Sequence, residues 1–215
     1  MFHVKHLEGL EPEPPAAPAV FGDSLATVRE FVADLARRGE ELGLIGPLEL
    51  PRLWTRHIVN SGLVGPLVRT GAVVGDIGSG AGLPGIVLAI ARPDARFVLI
   101  EPMERRTDWL RAEAEALGLD NVEVVRARAE DAPYVEQLDQ VTARAVSALR
   151  TLIPSVVPLA KPGGELILMK GARVEEERQA AAKQIARARL TNVEILTLGE
   201  GLTTELTRVF RATVS

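Results

Sequence analysis

The chain has 215 residues, 47% of them hydrophobic and 25% charged, which is enough for one sizeable core but cramped for two full domains. It has no cysteine, which excludes disulfides, thiolate metal sites and cysteine nucleophiles. Its net charge of −4 argues against a general nucleic-acid binder, whose surface is usually basic.

The sequence also disfavours a membrane-spanning segment and a metal site. No apolar segment approaches the roughly 20 residues that cross a bilayer, and the first residues lack a signal peptide's apolar centre, so we expect a cytoplasmic protein. The three histidines, His3, His6 and His57, form no ligand pattern with neighbouring carboxylates, so we expect no metal.

Residues 1–22 contain four prolines and are predicted to form a flexible leader. Two interpretations of residues 1–6 stay open. They are part of a polar leader, or their codons form a DNA palindrome that resembles a bacterial chromosome-partition site; the gene's first codons distinguish the two. Residues 23–69 are predicted to be helical, with one helix from Asp23 to about Leu42 and another from Pro51 to about Val68.

From residue 70 to residue 215, strands and helices alternate. Strands are predicted at 72–77, 96–101, 121–127, 140–145 and 164–170. Helices are predicted at 84–91, 103–117, 149–160 and 174–188, with a short turn or helix at 131–138. Residues 192–198 and 206–212 follow as a β-hairpin. By fold-level analogy, this mostly parallel, Rossmann-like α/β sheet with a C-terminal antiparallel hairpin and an N-terminal helical extension is the class I S-adenosylmethionine-dependent methyltransferase architecture.

A glycine-rich loop follows the first predicted strand, with the sequence Asp76-Ile77-Gly78-Ser79-Gly80-Ala81-Gly82-Leu83-Pro84-Gly85. Its glycines allow sharp turns and let a ligand lie against the main chain, which indicates a nucleotide-like cofactor. The spacing Gly80-x-Gly82-x-x-Gly85 also satisfies the dinucleotide fingerprint, so NAD stays an alternative.

Two acids bear on that choice. Glu101 ends the second strand, where it can bind both ribose hydroxyls of either cofactor. Asp76 precedes the loop, where a carboxylate would repel a pyrophosphate and attract the ammonium and sulfonium of S-adenosylmethionine. This electrostatic difference favours S-adenosylmethionine.

Three further side chains are candidates for substrate contact. Arg144 ends the fourth strand at the edge where open α/β sheets bind ligands, and it would clamp RNA phosphate or hold a cofactor carboxylate. His57 would stack on RNA or pack in the core. Lys170, at the end of the fifth strand, would contact phosphate or carry rim charge.

Several segments together resemble the bacterial GidB family, the small-subunit ribosomal RNA guanine-N7 methyltransferase. They are residues 53–61, 76–85, 101–110, 126–130, 142–145 and 169–171, and the resemblance runs from about residue 23 to the C-terminus. It implies methyl transfer from S-adenosylmethionine to N7 of one guanosine in a hairpin loop of 16S ribosomal RNA near the decoding centre. The expected partner is 16S ribosomal RNA or the small ribosomal subunit, and we expect a monomer.

The resemblance also implies residue roles. The cofactor contacts are Gly78, Leu83, Ala129, Glu130, Arg144 and the ribose acid Glu101, beside Asp76 and Gly80 of the loop. Arg144 is expected to orient the reactants or contact RNA, without a general base. Asn60 stands where the family commonly has Asp, which puts a carboxylate role at that position in doubt, and Arg105 stands where it commonly has Lys.

Guanine N7 carries an exposed lone pair, so its methylation requires no proton abstraction. Cytosine C5 methylation normally needs a cysteine, and exocyclic-amine methyltransferases usually carry an Asn/Asp-Pro-Pro-aromatic motif where this chain has residues 142–147. A small-molecule methyltransferase and a non-catalytic cofactor-binding module remain alternatives.

Overall fold

A computed structural model of the protein describes residues 9–46 and 48–215. Both interpretations of residues 1–6 therefore lie outside the described residues, as do His3 and His6. None of the helices within the described ranges has the length and apolar character that a membrane span requires.

The centre of the molecule is a seven-stranded sheet. Its strands are β1 (Val73–Ile77), β2 (Arg96–Ile100), β3 (Val122–Val125), β4 (Leu138–Arg144), β5 (Ala160–Lys170), β6 (Thr191–Leu198) and β7 (Thr207–Thr213). They lie in the order β3-β2-β1-β4-β5-β7-β6. The first five are parallel, and β7 runs antiparallel to both β5 and β6. This order confirms the predicted parallel sheet with a C-terminal hairpin.

Helices cover both faces of the sheet. They are α1 (Ala17–Phe21), α2 (Leu25–Arg38), α3 (Asn60–Gly62), α4 (Gly85–Ala91), α5 (Glu104–Ala116), α6 (Leu149–Val156), α7 (Val174–Ala180) and α8 (Ala182–Arg187). Side chains alternate along each strand. In β2, Phe97 and Leu99 therefore pack with α1, α2, α4 and α5, whereas Val98 and Ile100 pack with α6, α7 and α8.

The N-terminal segment differs from the prediction. Residues 17–21, expected in the flexible leader, form α1, and both Ala17 and Phe21 are buried. Pro18 stands in the first helical turn, where its missing N–H costs nothing. A Cβ added at Gly62 would lie 2.5 Å from the Phe21 ring, so this helix packs tightly against the segment before the sheet.

The single helix predicted from Pro51 to Val68 is instead four short segments. They are 3₁₀ turns at Leu50–Arg52 and Gly65–Leu67, a π-helix at Leu53–Val59, and α3. Ser61 Oγ donates to the His57 carbonyl at 2.6 Å, and Asn60 Nδ2 donates to the Arg56 carbonyl at 3.1 Å. Such side-chain bonds compete locally with the helical ladder.

Smaller boundary differences have similar causes. The first long helix ends at Arg38 rather than near Leu42. The helix predicted at 149–160 changes to a 3₁₀ turn after Val156, because Pro158 cannot donate to the α-helical ladder. The helix predicted at 174–188 is divided at Ala181 into α7 and α8.

The strand register brings the C-terminal ends of three strands, β1, β2 and β4, to the same edge of the sheet. Ile77 of β1 lies opposite Ile100 of β2 and Ala143 of β4. β1 and β4 are adjacent in the sheet but far apart in sequence, which is the switch point where open α/β sheets bind ligands. The residues that follow these strands are therefore neighbours in space.

If α1 is a packed element, Phe21→Ala should lower the free energy of unfolding by about 3 kcal/mol, because it leaves a cavity at a buried aromatic position. The matched control is Val135→Ala at a side chain that is 63% exposed, which should change it by less than about 0.5 kcal/mol. Denaturant titration measures both. Equal, small effects for the two variants would show that α1 is not part of the core.

Candidate active site

The loop between β1 and α4 is held in a glycine-dependent conformation. Gly80 and Gly82 have φ values of 55° and 95°, in the left-handed region that disfavours side chains. Gly85 begins α4 so close to β1 and β2 that an added Cβ would lie 2.6 Å from Asp76 Oδ2 and 2.4 Å from Leu99 Cδ2. Any side chain at position 85 would separate the helix from the strands.

Two buried carboxylates fix this loop. Glu101 is 2% exposed, and it accepts hydrogen bonds from the Gly80 amide and the Met103 amide, each at 3.0 Å. Asp76 is fully buried, and it accepts from the Gly85 amide and the Thr142 hydroxyl, each at 3.1 Å. The acids singled out from the sequence therefore organise the loop backbone directly.

Asp76 lines neither of the two cavities described below. Its carboxylate is enclosed between the start of α4 and strand β4, and burial raises its pKa to about 6 despite the hydrogen bonds it accepts. The electrostatic prediction assumed that this carboxylate would meet the ligand. In the structure this carboxylate holds the loop, and a cofactor-binding role for Asp76 stays a prediction.

Trp109 is buried, as expected for a core residue, but it also bonds the loop. Its indole Nε1 donates to the Ala81 carbonyl at 3.1 Å. The guanidinium of Arg38 lies 5.1 Å from the centroid of the same ring. The helix after β2 and the N-terminal helix α2 therefore both support the glycine loop, which the sequence did not reveal.

A cavity of about 470 Å³ opens beside the loop. Five predicted cofactor residues line it together, namely Gly78, Glu101, Ala129, Glu130 and Arg144. Gly80 reaches it through its bond to Glu101, and Leu83 packs against the hydrophobic core rather than lining it. We call this space the cofactor cavity.

The lining of the cofactor cavity includes apolar surface that suits an adenine base. Met103 and Val146 are 45% and 44% exposed, and such large apolar surfaces beside a cavity suit the faces of an aromatic base. Arg106 places Nη1 4.0 Å from Glu101, and its buried Nε has no partner among the described residues. Met103 and Val146 were missed in the sequence, because exposure of an apolar side chain is visible only in the fold.

A second, larger cavity of about 760 Å³ lies alongside. It shares the segment 144–147 with the cofactor cavity. Its other lining residues include Arg56, Asn60, Lys170, Glu177, Glu205 and Arg208. We call it the acceptor cavity, because a group bound there meets the cofactor cavity only at this shared segment.

Arg144 is held at the boundary between the cavities by His57. The guanidinium bonds both His57 Nδ1 and the His57 carbonyl, and His57 Nε2 lies 2.5 Å from Glu49 Oε2. Burial, followed by the charge of Arg144, lowers the pKa of His57 to about 4. The neutral imidazole is therefore a packed connector, so the packing alternative applies and the RNA-stacking alternative does not.

Lys170 braces the shared segment from the other side. It is only 7% exposed, and its Nζ donates to the Ser147 carbonyl at 2.5 Å and pairs with Glu177 at 2.9 Å. Glu177 also accepts from the Leu149 amide at 3.0 Å. Phosphate contact and rim charge, the two alternatives for Lys170, both require an exposed ammonium group. In the structure the group is largely buried and holds the backbone after β4.

Solved methyltransferases share this fold. A SAM-dependent methyltransferase from Aquifex aeolicus aligns with a TM-score of 0.55 at 17% identity, covering 94% of this chain and 95% of that one. TYW2 from P. horikoshii, in complex with MeSAdo, aligns with a TM-score of 0.58 at 13% identity, covering 74% and 62%. The fold and the site together define a class I S-adenosylmethionine-dependent methyltransferase.

Sequence comparison narrows the class to one family. The family model described as "GidB: rRNA small subunit methyltransferase G" matches residues 24–206. A ribosomal RNA small subunit methyltransferase G from Leifsonia xyli subsp. xyli (strain CTCB07) is 61% identical over 207 residues, covering 96% of this chain and 99% of the relative. One from Corynebacterium glutamicum (strain ATCC 13032) is 49% identical over 197 residues, covering 90% and 88%. The chain belongs to the GidB family, as the motifs implied, and its cofactor is S-adenosylmethionine.

Gly80→Val tests the loop. The variant should lose S-adenosylmethionine binding by calorimetry, because a β-branched side chain is strained at a φ of 55° and would displace the Gly80 amide from Glu101, which lines the cofactor cavity. The matched control is Gly118→Val, at a φ of 64° with nothing within 4 Å and away from both cavities. Each variant should lose about 1–2 kcal/mol of stability from backbone strain. Tight binding by Gly80→Val would contradict the loop assignment.

His57→Gln tests the connector through pH. A folded pKa of about 4 lies below the usual 6.5, so the stability contributed by neutral His57 is present above pH 6.5 and lost as the pH falls through 4. The difference in unfolding free energy between the native protein and the variant should shrink by about 2 kcal/mol between pH 7 and pH 4.5. The raised pKa of Asp76 changes the unfolding free energy in the opposite direction with pH, but Asp76 is present in both proteins, so its contribution cancels in the difference. A constant difference would contradict a neutral, packed His57.

Proposed function

We propose that this protein transfers a methyl group from S-adenosylmethionine to N7 of a specific guanosine in 16S ribosomal RNA. The observation that carries the proposal is the pair of cavities meeting at residues 144–147 in a member of the GidB family. One cavity holds the donor and the other receives the base. The substrate implies that the enzyme acts in the cytoplasm; action as a monomer and without metal stays a prediction.

On the donor side, the chain supplies a backbone cradle and one carboxylate. Gly78 lets the ligand approach the main chain, and Glu101 retains lone pairs for ribose hydroxyls beyond the two amides it accepts. Ala129 and Glu130 line the same cavity and would lie beside the adenine, and Met103 and Val146 would pack against its faces. S-adenosylmethionine, when bound, supplies the methyl group and the sulfonium leaving group.

On the acceptor side, the chain must orient a base and hold charged RNA. Guanine N7 reacts through an in-plane lone pair, so no side chain has to remove a proton first. Arg56, Arg144 and Arg208 place positive charge around the acceptor cavity, although the whole chain carries −4. Such a local basic surface binds phosphates in a salt-dependent way, and orientation of the reactants supplies much of the rate.

Family membership favours an RNA acceptor over the small-molecule alternative. Relatives that align over almost their full length carry the name ribosomal RNA small subunit methyltransferase G. The size of the acceptor cavity and its several cations also suit one nucleotide of a larger polyanion better than a small neutral acceptor. Turnover on any acceptor would exclude the non-catalytic alternative.

Nucleoside mapping tests this function. Deleting the gene should remove one 7-methylguanosine from small-subunit ribosomal RNA, and restoring the native gene should return it. Purified enzyme should then methylate subunits or RNA from the deletion strain at that position, with both forms of the substrate compared. An unchanged modification map would overturn the proposed function.

Arg144→Ala belongs in the same assay. We expect kcat/KM to fall by about 100-fold or more, because the buried guanidinium no longer orders the boundary between the two cavities. Arg144→Lys keeps a charge without the planar fork and should recover only part of the activity. Circular dichroism should show native secondary structure for both variants. Full turnover by Arg144→Ala would remove Arg144 from the mechanism.

A further inference from the structure

The acceptor cavity has to distinguish guanine from adenine without using the reacting atom. Both purines carry N7 with the same lone pair, so selection comes from the groups in which the two bases differ, namely O6 or N6 beside N7 and the rest of the Watson–Crick edge. Guanine presents N1–H and N2–H donors on that edge, whereas adenine presents an N1 acceptor. A carboxylate therefore complements guanine and repels adenine.

Among residues 9–46 and 48–215, two carboxylates line the acceptor cavity, Glu177 and Glu205. Glu177 is already engaged, because its Oε2 accepts from the Leu149 amide at 3.0 Å and pairs with Lys170 at 2.9 Å. Removing it from that brace would release the segment after β4. Glu177 is therefore a structural acid.

Glu205 is placed differently. It lies in the connection between β6 and β7, 42% of its side chain is exposed, and it pairs with Arg56 at 3.8 Å. An ion pair with this exposure and this distance contributes little to stability, so the Glu205 carboxylate remains available for a ligand. Its charge also reaches the cavity boundary, since it opposes the lowering of the Arg144 pKa that burial causes.

The shape of guanine fits this placement. N7 and the N1–H/N2–H edge lie on opposite sides of the purine. A base whose N7 faces the shared segment 144–147 therefore presents its N1 edge to the far side of the cavity. Glu205 lines the acceptor cavity but not the cofactor cavity, so it is not part of the segment that the two cavities share.

We infer that Glu205 is the specificity-determining residue of this enzyme and accepts hydrogen bonds from N1–H and N2–H of the target guanine. The inference rests on the proposed function. The same contact assists the reaction, because methylation puts positive charge on the purine and a carboxylate at N1–H and N2–H stabilises that charge. Removing Glu205 should therefore lower kcat as well as discrimination.

Inosine tests the contact. It keeps N7, O6 and N1–H but lacks the 2-amino group. Small-subunit RNA ligated to carry guanosine or inosine at the mapped position, and assembled into subunits, provides two matched substrates. The native enzyme should favour guanosine by about 10-fold or more in kcat/KM. In the Glu205→Ala variant, kcat/KM for the guanosine substrate should fall nearly to that for the inosine substrate, so that the ratio of the two values is about 2-fold or less.

Glu200→Ala is the matched control, because Glu200 is an exposed glutamate of the same connection that lines neither cavity. It should keep the native ratio and the native kcat. Glu205→Gln keeps one acceptor oxygen but no charge, so it should retain part of the discrimination with a reduced kcat. A native ratio near 1, or a Glu205→Ala ratio equal to the native one, would overturn the inference. No 7-methylguanosine on the guanosine substrate would overturn the proposed function itself.

Discussion

The site depends on two buried carboxylates that accept hydrogen bonds from loop amides. Asp76 bonds the Gly85 amide at the start of α4, and Glu101 bonds the Gly80 amide within the loop. Buried without partners, these carboxylates and amides would each carry a large desolvation cost, so each compensates the other. The loop conformation is therefore set by the ends of β1 and β2 as much as by its glycines.

The second constraint is the segment that the two cavities share. His57 holds it from the N-terminal side through Arg144, and Lys170 holds it from β5 through Ser147. The segment before the sheet therefore contributes side chains to the candidate site, because Arg56 and Asn60 line the acceptor cavity and His57 bonds Arg144. Substitutions in that segment are expected to act on transfer through the position of Arg144, because packed side chains transmit small displacements.

The proposed chemistry matches what the lining offers. Methylation of guanine N7 needs no proton transfer, and the buried titratable groups near the boundary, His57 and Asp76, are both engaged in holding structure. The chain can therefore contribute to catalysis by orienting the two reactants and by stabilising charge. Arginines line the acceptor cavity, where we propose that they hold phosphate, and Glu205 is the partly exposed lining carboxylate that we propose for the base.

The sequence by itself determined the order of strands and helices, the glycine loop, the acid after β2 and the family, because these depend on periodicity and on residue types at short spacing. It misjudged α1, the segment 51–68 and the surroundings of Asp76, because tertiary packing and side-chain bonds overrode local preference there. Only the tertiary structure decided that His57 and Lys170 hold Arg144 and the backbone after β4, that Met103 and Val146 are exposed in a cavity, and that Glu205 lines the cavity next to it. Those properties arise from contacts between residues far apart in sequence, which no local pattern records.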